Sequence, residues 1–156
     1  MSTWLSWTLL GLLAPLLLAA AWTDIRSRTI PNELNGAIAL LAIPFWWATG
    51  LAPWPDVALQ LAVAGCVFGL FAGAFALGMM GGGDVKLIGA LALWLPWQSL
   101  LALLVIMSLA GGALTVAMLI RKRLARSEGV LEIPYGVAIA FGGLWLISER
   151  FLYQFG

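Results

Sequence analysis

The chain alternates long apolar runs with short clusters of charge, glycine or proline, and each run can be measured against the roughly 20 apolar residues that a bilayer-spanning helix requires. Runs over residues 4–22, 34–51, 57–80, 99–120 and 134–153 reach or approach that length. The first stops at Asp24-Ile25-Arg26-Ser27-Arg28, the second at Ala52-Pro53-Trp54-Pro55-Asp56, and the run from residue 99 at the basic cluster 121–126. Gly81-Gly82-Gly83 breaks the run that begins at residue 57, and the apolar stretch behind it, residues 85–95, has about half the spanning length. The pattern predicts an all-α polytopic membrane protein with about six transmembrane helices, the fourth short or partly re-entrant, in one domain over residues 1–156.

Composition removes the competitors. With 63% hydrophobic and 10% charged residues and a mean hydropathy of +1.02, the chain lacks the charge that a soluble domain spreads over its surface. Its apolar content excludes intrinsic disorder, its single cysteine, Cys66, excludes a disulfide scaffold, and its net charge of +1 excludes a nucleic-acid partner. Without histidine, no Ser-His or Cys-His pair and no HExxH zinc site can form.

Short loops rich in Lys and Arg stay in the cytoplasm. With both termini outside, Arg26, Arg28, Lys86, Arg121, Lys122, Arg123 and Arg126 fall on the cytoplasmic side and only Arg150 falls outside. Ala19-Ala20-Ala21 imitates a signal-peptide cleavage site, but the charges follow the first run instead of preceding it, which is the pattern of an anchor. Trp4, Trp7, Trp46, Trp47, Trp54, Trp94, Trp97 and Trp145 then lie toward the outer half, with Trp22 at the inner boundary, as an interfacial aromatic belt. Gly65, Gly69 and Gly73 form a small-residue stripe suited to helix packing.

Carboxylates are the remaining groups able to work as an acid and base pair. Glu128 and Glu132 read as solvated loop charges, Asp56 as a helix N-cap, Glu33 as a first-turn charge suiting the helix dipole, and Glu149 as an interfacial charge beside Arg150. Asp24 and Asp84 differ, since each ends a spanning segment on the cytoplasmic side. Behind Asp24, Pro31 suits the first turn of the second helix, with Asn32 or Asn35 as its cap, so a short structured hairpin holds the carboxylate. Before Asp84, three glycines expose backbone at membrane depth, where only protein or water can cover it, and they allow an extended substrate backbone to come close. Singly, Asp84 reads as an N-cap and Asp24 as a charge balancing Arg26 or Arg28. Together they are the parts of an aspartic dyad, in which one carboxyl activates water and its partner donates a proton. Lys86, two residues on, does not share Asp84's helix face and reads as a snorkelling anchor, with contact to substrate or Asp24 as the lesser alternative.

Asp24 with Ile30-Pro31-Asn32, Gly81-Gly82-Gly83-Asp84-Val85-Lys86-Leu87, and Ile133-Pro134-Tyr135-Gly136 leading into Ala138–Gly142 resemble the signatures of type IV prepilin peptidases, above all the small members serving tight-adherence and similar pilus systems. The resemblance covers nearly the whole chain. It implies a GxGD-type membrane aspartic endopeptidase, without cofactor or metal, in the bacterial inner membrane. Such an enzyme removes the basic leader of prepilins, whose hydrophobic helix follows the leader, at the cytoplasmic face. Pilus or secretion assembly components are its further partners. Asp24 and Asp84 carry over as the catalytic pair, and Gly81, Gly82, Gly83, Lys86, Pro31, Asn32, Pro134, Tyr135 and Gly136 as residues that bind substrate or shape the site. Larger family members carry a cysteine-bearing cytoplasmic insertion and methylate the new N-terminus. The Asp24 hairpin has no room for that insertion, so methylation is not expected. Presenilin-like proteases also use GxGD but place Tyr before the first Asp, where this chain has Thr23.

Two alternatives from other classes remain at this stage: a small ion- or proton-coupled transporter using both acids, and a non-catalytic subunit of a secretion or pilus assembly complex. Transporters tend to hold polar groups near the midplane and to show internal repeats. A non-catalytic subunit would leave the glycine run without a purpose.

Overall fold

The structure is a computed structural model that describes residues 3–124 and 133–155; Arg126, Glu128 and Glu132 lie outside those residues. Six helices follow one another: α1 (Thr3–Ser27), α2 (Asn32–Thr49), α3 (Ala58–Ala76), α4 (Gly82–Ala92), α5 (Trp97–Leu124) and α6 (Tyr135–Phe155), with one wide helical turn, Pro53–Val57, leading into α3. Four stretches are long and apolar enough to cross a bilayer: Trp4–Ser27, Pro53–Ala76, Trp97–Leu124 and Tyr135–Leu152. The six apolar runs thus become six helices, of which α2 and the short α4 do not reach that standard.

Helix ends depart from the expected ones for local reasons. Asp24 lies inside α1 and not behind it, because the helix continues to Ser27 and stops where Arg28 turns left-handed at φ 55°, its N–H donating to the Asp24 carbonyl at 3.0 Å. The run expected to reach residue 80 ends at Ala76, where Gly78 adopts φ 72° and Met79 N–H closes on the Ala74 carbonyl at 3.0 Å. Gly50 ends α2 in the same way, with φ 79° and Leu51 N–H on the Trp46 carbonyl at 2.9 Å. Both are glycine-terminated helix ends in which a left-handed residue lets the next N–H satisfy an orphan carbonyl. Neither Asn32 nor Asn35 caps α2, since Pro31 holds the cap position without a side-chain bond. Asp56 does not cap α3 either; its carboxylate accepts the Ala52 N–H at 3.0 Å and fastens the turn before that helix.

The shortest helix sits at the centre. α4 packs against α2, α3 and α6, and Val85, Leu87, Ile88, Ala90, Leu91 and Ala92 are all buried. A helix that ends inside an apolar bundle leaves carbonyls with no water to accept from, which costs several kcal/mol per group unless protein donors reach them. They do. Gln60 Nε2 of α3 donates to the Ala92 and Leu95 carbonyls at 2.6 and 2.7 Å, and Trp46 Nε1 of α2 donates to Leu93 at 2.7 Å. Trp94 likewise turns inward, is buried, and gives its indole N–H to Ile38 at 2.8 Å. Trp46 and Trp94 therefore leave the expected belt, while Trp4, Trp22, Trp47, Trp54, Trp97 and Trp145 are exposed.

α1 packs on α2 and α6, and α5 on α6. α3 and α5 turn leucines, valines and phenylalanines outward, as lipid-facing helices do. The Gly65, Gly69, Gly73 stripe does not serve packing within this chain, because a Cβ at any of the three would meet nothing within 4 Å. Cys66 lies within α3 but is exposed on its outer face.

Candidate active site

Three helix ends meet at one end of the bundle: the last turns of α1 and the first turns of α4 and α6. Asp24 is only 4% exposed and Asp84 only 7%, so each carboxylate depends on protein donors. Asp24 Oδ2 accepts the Val137 N–H at 3.2 Å, and the Gly136 N–H also faces it. Asp84 is the third residue of α4 and reaches back to the N–H of Gly81, the N-cap, as a first-turn acid does in a capping box. The Gly136 N–H faces Asp84 as well. Both carboxylates therefore converge on one backbone donor.

Burial dominates the electrostatics, and the convergence of the two carboxylates adds to it. Asp84 lies outside the four spanning candidates, at the mouth of the bundle. Burial, and then the negative charge of Asp24, raise its carboxyl from 3.8 to about 7, against the opposing pull of the Gly81 and Gly136 N–H groups. A carboxyl poised at neutrality can hold a proton or release it. Beside the pair opens a cleft of about 540 Å3 lined by Asp24, Asp84, Arg28, Gly81, Met80 and Tyr135 among others.

Glycine is required where the elements press closest. A Cβ on Gly136 would stand 2.8 Å from Asp24 Oδ2 and 2.7 Å from Ile30 Cδ1, closer than real Cβ atoms approach. A Cβ on Gly83 would lie 3.2 Å from the Ile30 nitrogen, and one on Gly82 would lie 3.3 Å from the Phe75 ring. The space at Gly82 and Gly83 is thus occupied by the chain itself; within the run, only Gly81 borders the cleft. Pro134 is buried behind Tyr135, and Tyr135 packs over Gly111 on α5, where a Cβ would stand 3.4 Å from its ring.

Lys86 and Asn32 are placed elsewhere. Lys86 Nζ donates to Asn32 Oδ1 at 2.7 Å, and the pair lines a separate apolar groove of about 530 Å3 between α2, α3 and α4. Pro31 is exposed at the start of α2. Ile30, which the sequence showed only as part of the Ile30-Pro31-Asn32 signature and without a role in the site, is buried and wedged between Gly83 and Gly136. Ser27, Arg28 and Thr29 also line the aspartate cleft without having been singled out for it. Among the described residues, no group of three or more acids or cysteines could hold a metal ion.

An all-α bundle with four bilayer-length helices and a buried pair of carboxylates at one end defines a membrane protein with a dicarboxylate site. Residues 11–116 match the type IV leader peptidase family, and the chain belongs to it. Among curated proteins, it is 32% identical over 145 residues to a prepilin leader peptidase/N-methyltransferase of Burkholderia pseudomallei, covering 85% of this chain and 43% of that one. It is 34% identical over 141 residues to the protein of the same name in Pseudomonas aeruginosa, covering 83% and 45%. The match in Aeromonas salmonicida is 28% over 139 residues, covering 86% and 46%. The chain spans about half the length of these curated relatives. No solved structure matches it.

Proposed function

We propose that this chain is an aspartic endopeptidase that removes the basic leader of type IV prepilin-like proteins at the cytoplasmic face of the bacterial inner membrane. The observation that carries the reading is the convergence of two buried carboxylates on the Gly136 N–H beside an open cleft. The relatives' name supports the substrate class. α2 and α4 complete a bundle of six membrane-embedded helices with both termini outside, α4 being the short inserted one.

The chemistry follows from the pair. Asp84, held near neutrality, keeps the proton, and Asp24 acts as base. Asp24 takes a proton from water as the water oxygen bonds to the scissile carbonyl carbon, and Asp84 protonates the carbonyl oxygen. The tetrahedral intermediate collapses when its C–N bond breaks, the leaving amine receives the proton held by Asp24, and one hydroxyl of the intermediate returns its proton to Asp84 as the new carboxyl group forms. Gly81 and Tyr135 border the path of the substrate backbone. Methylation is not part of the proposal, because only residues 28–31 join α1 to α2, with no room there for the cysteine-bearing insertion.

Co-expression with a prepilin-like substrate tests the reading through the size of the product. Asp24→Asn and Asp84→Asn should each abolish leader removal while the protein still inserts, and the double variant should be no worse than either single one. Substantial cleavage by either variant refutes the pair, and reporter fusions that place the end of α5 outside the cell refute the orientation.

A further inference from the structure

At the end of the bundle remote from the aspartates, the structure holds a second polar cleft, of about 450 Å3. Trp7 and Asp24 lie on the same helix, a rise of about 26 Å apart, so this cleft and the carboxylate pair sit near opposite surfaces of a bilayer core. Its walls come from the start of α1, the end of α2, the start of α5 and the end of α6. Trp7, Leu10, Phe45, Leu95 and Leu146 make it apolar on one side.

Arg150 enters this cleft half-buried, and no hydrogen bond or ion pair reaches its guanidinium among the described residues. The neighbouring acid does not neutralise it: Glu149, at the exposed edge of the cleft, accepts the Trp145 indole N–H at 3.1 Å instead. A guanidinium stays charged at any physiological pH, and a charge withdrawn from water is costly without a counter-ion. Ser99 faces the same space from the first turn of the 28-residue α5, the positive end of that helix, and its hydroxyl has no partner among the described residues. A fixed cation, a hydroxyl with no partner among the described residues and a helix N-terminus therefore face one cleft with an apolar wall.

We propose that this cleft binds the phosphate of an amphiphile, a phospholipid headgroup, with the phosphodiester on Arg150 and Ser99 and acyl chain against Trp7, Leu10 and Leu146. The same phosphate chemistry could come from free inorganic phosphate, and the apolar wall is what favours the lipid. Such a ligand would clamp α1, α5 and α6 together at the end opposite the proposed active site.

The test is thermal unfolding of the purified full chain in detergent, titrated with phosphatidylethanolamine, with diacylglycerol, or with inorganic phosphate. Wild-type protein should gain several degrees of Tm, saturably, with the phospholipid and nothing with diacylglycerol. In Arg150→Gln the half-saturating lipid concentration should rise at least tenfold. Ser99→Leu, which keeps the arginine but fills the cleft, should lose the response too, and this variant decides the matter if Arg150→Gln does not fold. An Arg150-dependent response to inorganic phosphate equal to that of the lipid upholds the phosphate site and assigns it to a free anion. Diacylglycerol acting as well as the phospholipid, or an undiminished response in either variant, overturns the proposal.

Discussion

Asp84→Asn should separate stability from catalysis, and in a direction opposite to most buried-site substitutions. In the folded protein this carboxyl is raised from its ordinary 3.8 to about 7, so between those values the folded chain binds more protons than the unfolded one. Stability is then greatest at low pH, falls as pH rises through that window, and levels off above about 7. A tenfold change in proton affinity is worth about 1.4 kcal/mol, which puts the full difference at about 4 kcal/mol; relaxation and water entry reduce the expected figure to roughly 2–3. Asparagine has nearly the same shape and keeps an oxygen to accept the Gly81 and Gly136 N–H groups, but it carries no charge. The variant should therefore be more stable than wild type at pH 8, by several degrees of Tm, and no more stable near pH 4. Thermal melts in detergent followed by tryptophan fluorescence would measure both. A variant less stable at pH 8, or shifted equally at both pH values, would refute the assigned electrostatics.

Gly136→Ala should cost about 1–3 kcal/mol of stability through overpacking, and cleavage should fall at least tenfold because the new Cβ displaces Asp24 or Ile30; retained turnover in a prepilin-processing assay would argue against that fit. Gln60→Leu strands the Ala92 and Leu95 carbonyls inside the bundle, and a melting temperature within a degree of wild type would contradict its bracing role, for which a loss of about 2 kcal/mol is expected. Activity should follow a bell-shaped pH profile whose upper limb lies near 7, where Asp84 surrenders its proton, with both apparent values belonging to the pair. Chelators should leave cleavage intact and carboxyl-modifying reagents should stop it; activity lost to a chelator and restored by zinc would end the aspartic reading.

Much of the fold was legible because apolar run length translates directly into helices, and because clusters of charge, glycine or proline mark where those runs stop. What escaped were contacts that depend on tertiary placement. Gly78 looks like any glycine in a glycine-rich stretch, and only its left-handed φ shows why α3 ends before Met80. The glycines at 82 and 83 were legible as points of close approach, but their neighbours proved to be Phe75 and Ile30 of the same chain. Asn32 and Lys86 stand near the aspartates in sequence, yet helical geometry turns them into a different groove. Gln60 carried no local signal at all, since its role arises only once α4 ends beside it.

The geometry also gives the block at Ile133–Gly136 a physical meaning. Asp24 lies in the last turns of α1, where the helix dipole disfavours a negative charge, whereas Asp84 lies in the first turn of α4, where it is favoured. The imbalance is met by α6. The first N–H groups of a helix lack full intrahelical partners, and here that of Gly136 and that of Val137, which is shared with the Pro134 carbonyl at 3.2 Å, face Asp24, with Gly136 facing Asp84 too. The first-turn donors of one helix thus satisfy a carboxylate that its own helix cannot. Residue 136 contributes no side chain to this arrangement, and it must contribute none, because a Cβ would occupy the space of Asp24 and Ile30. A stretch more than a hundred residues from Asp24 therefore holds the pair through backbone N–H groups, while its Tyr135 lines the cleft beside them.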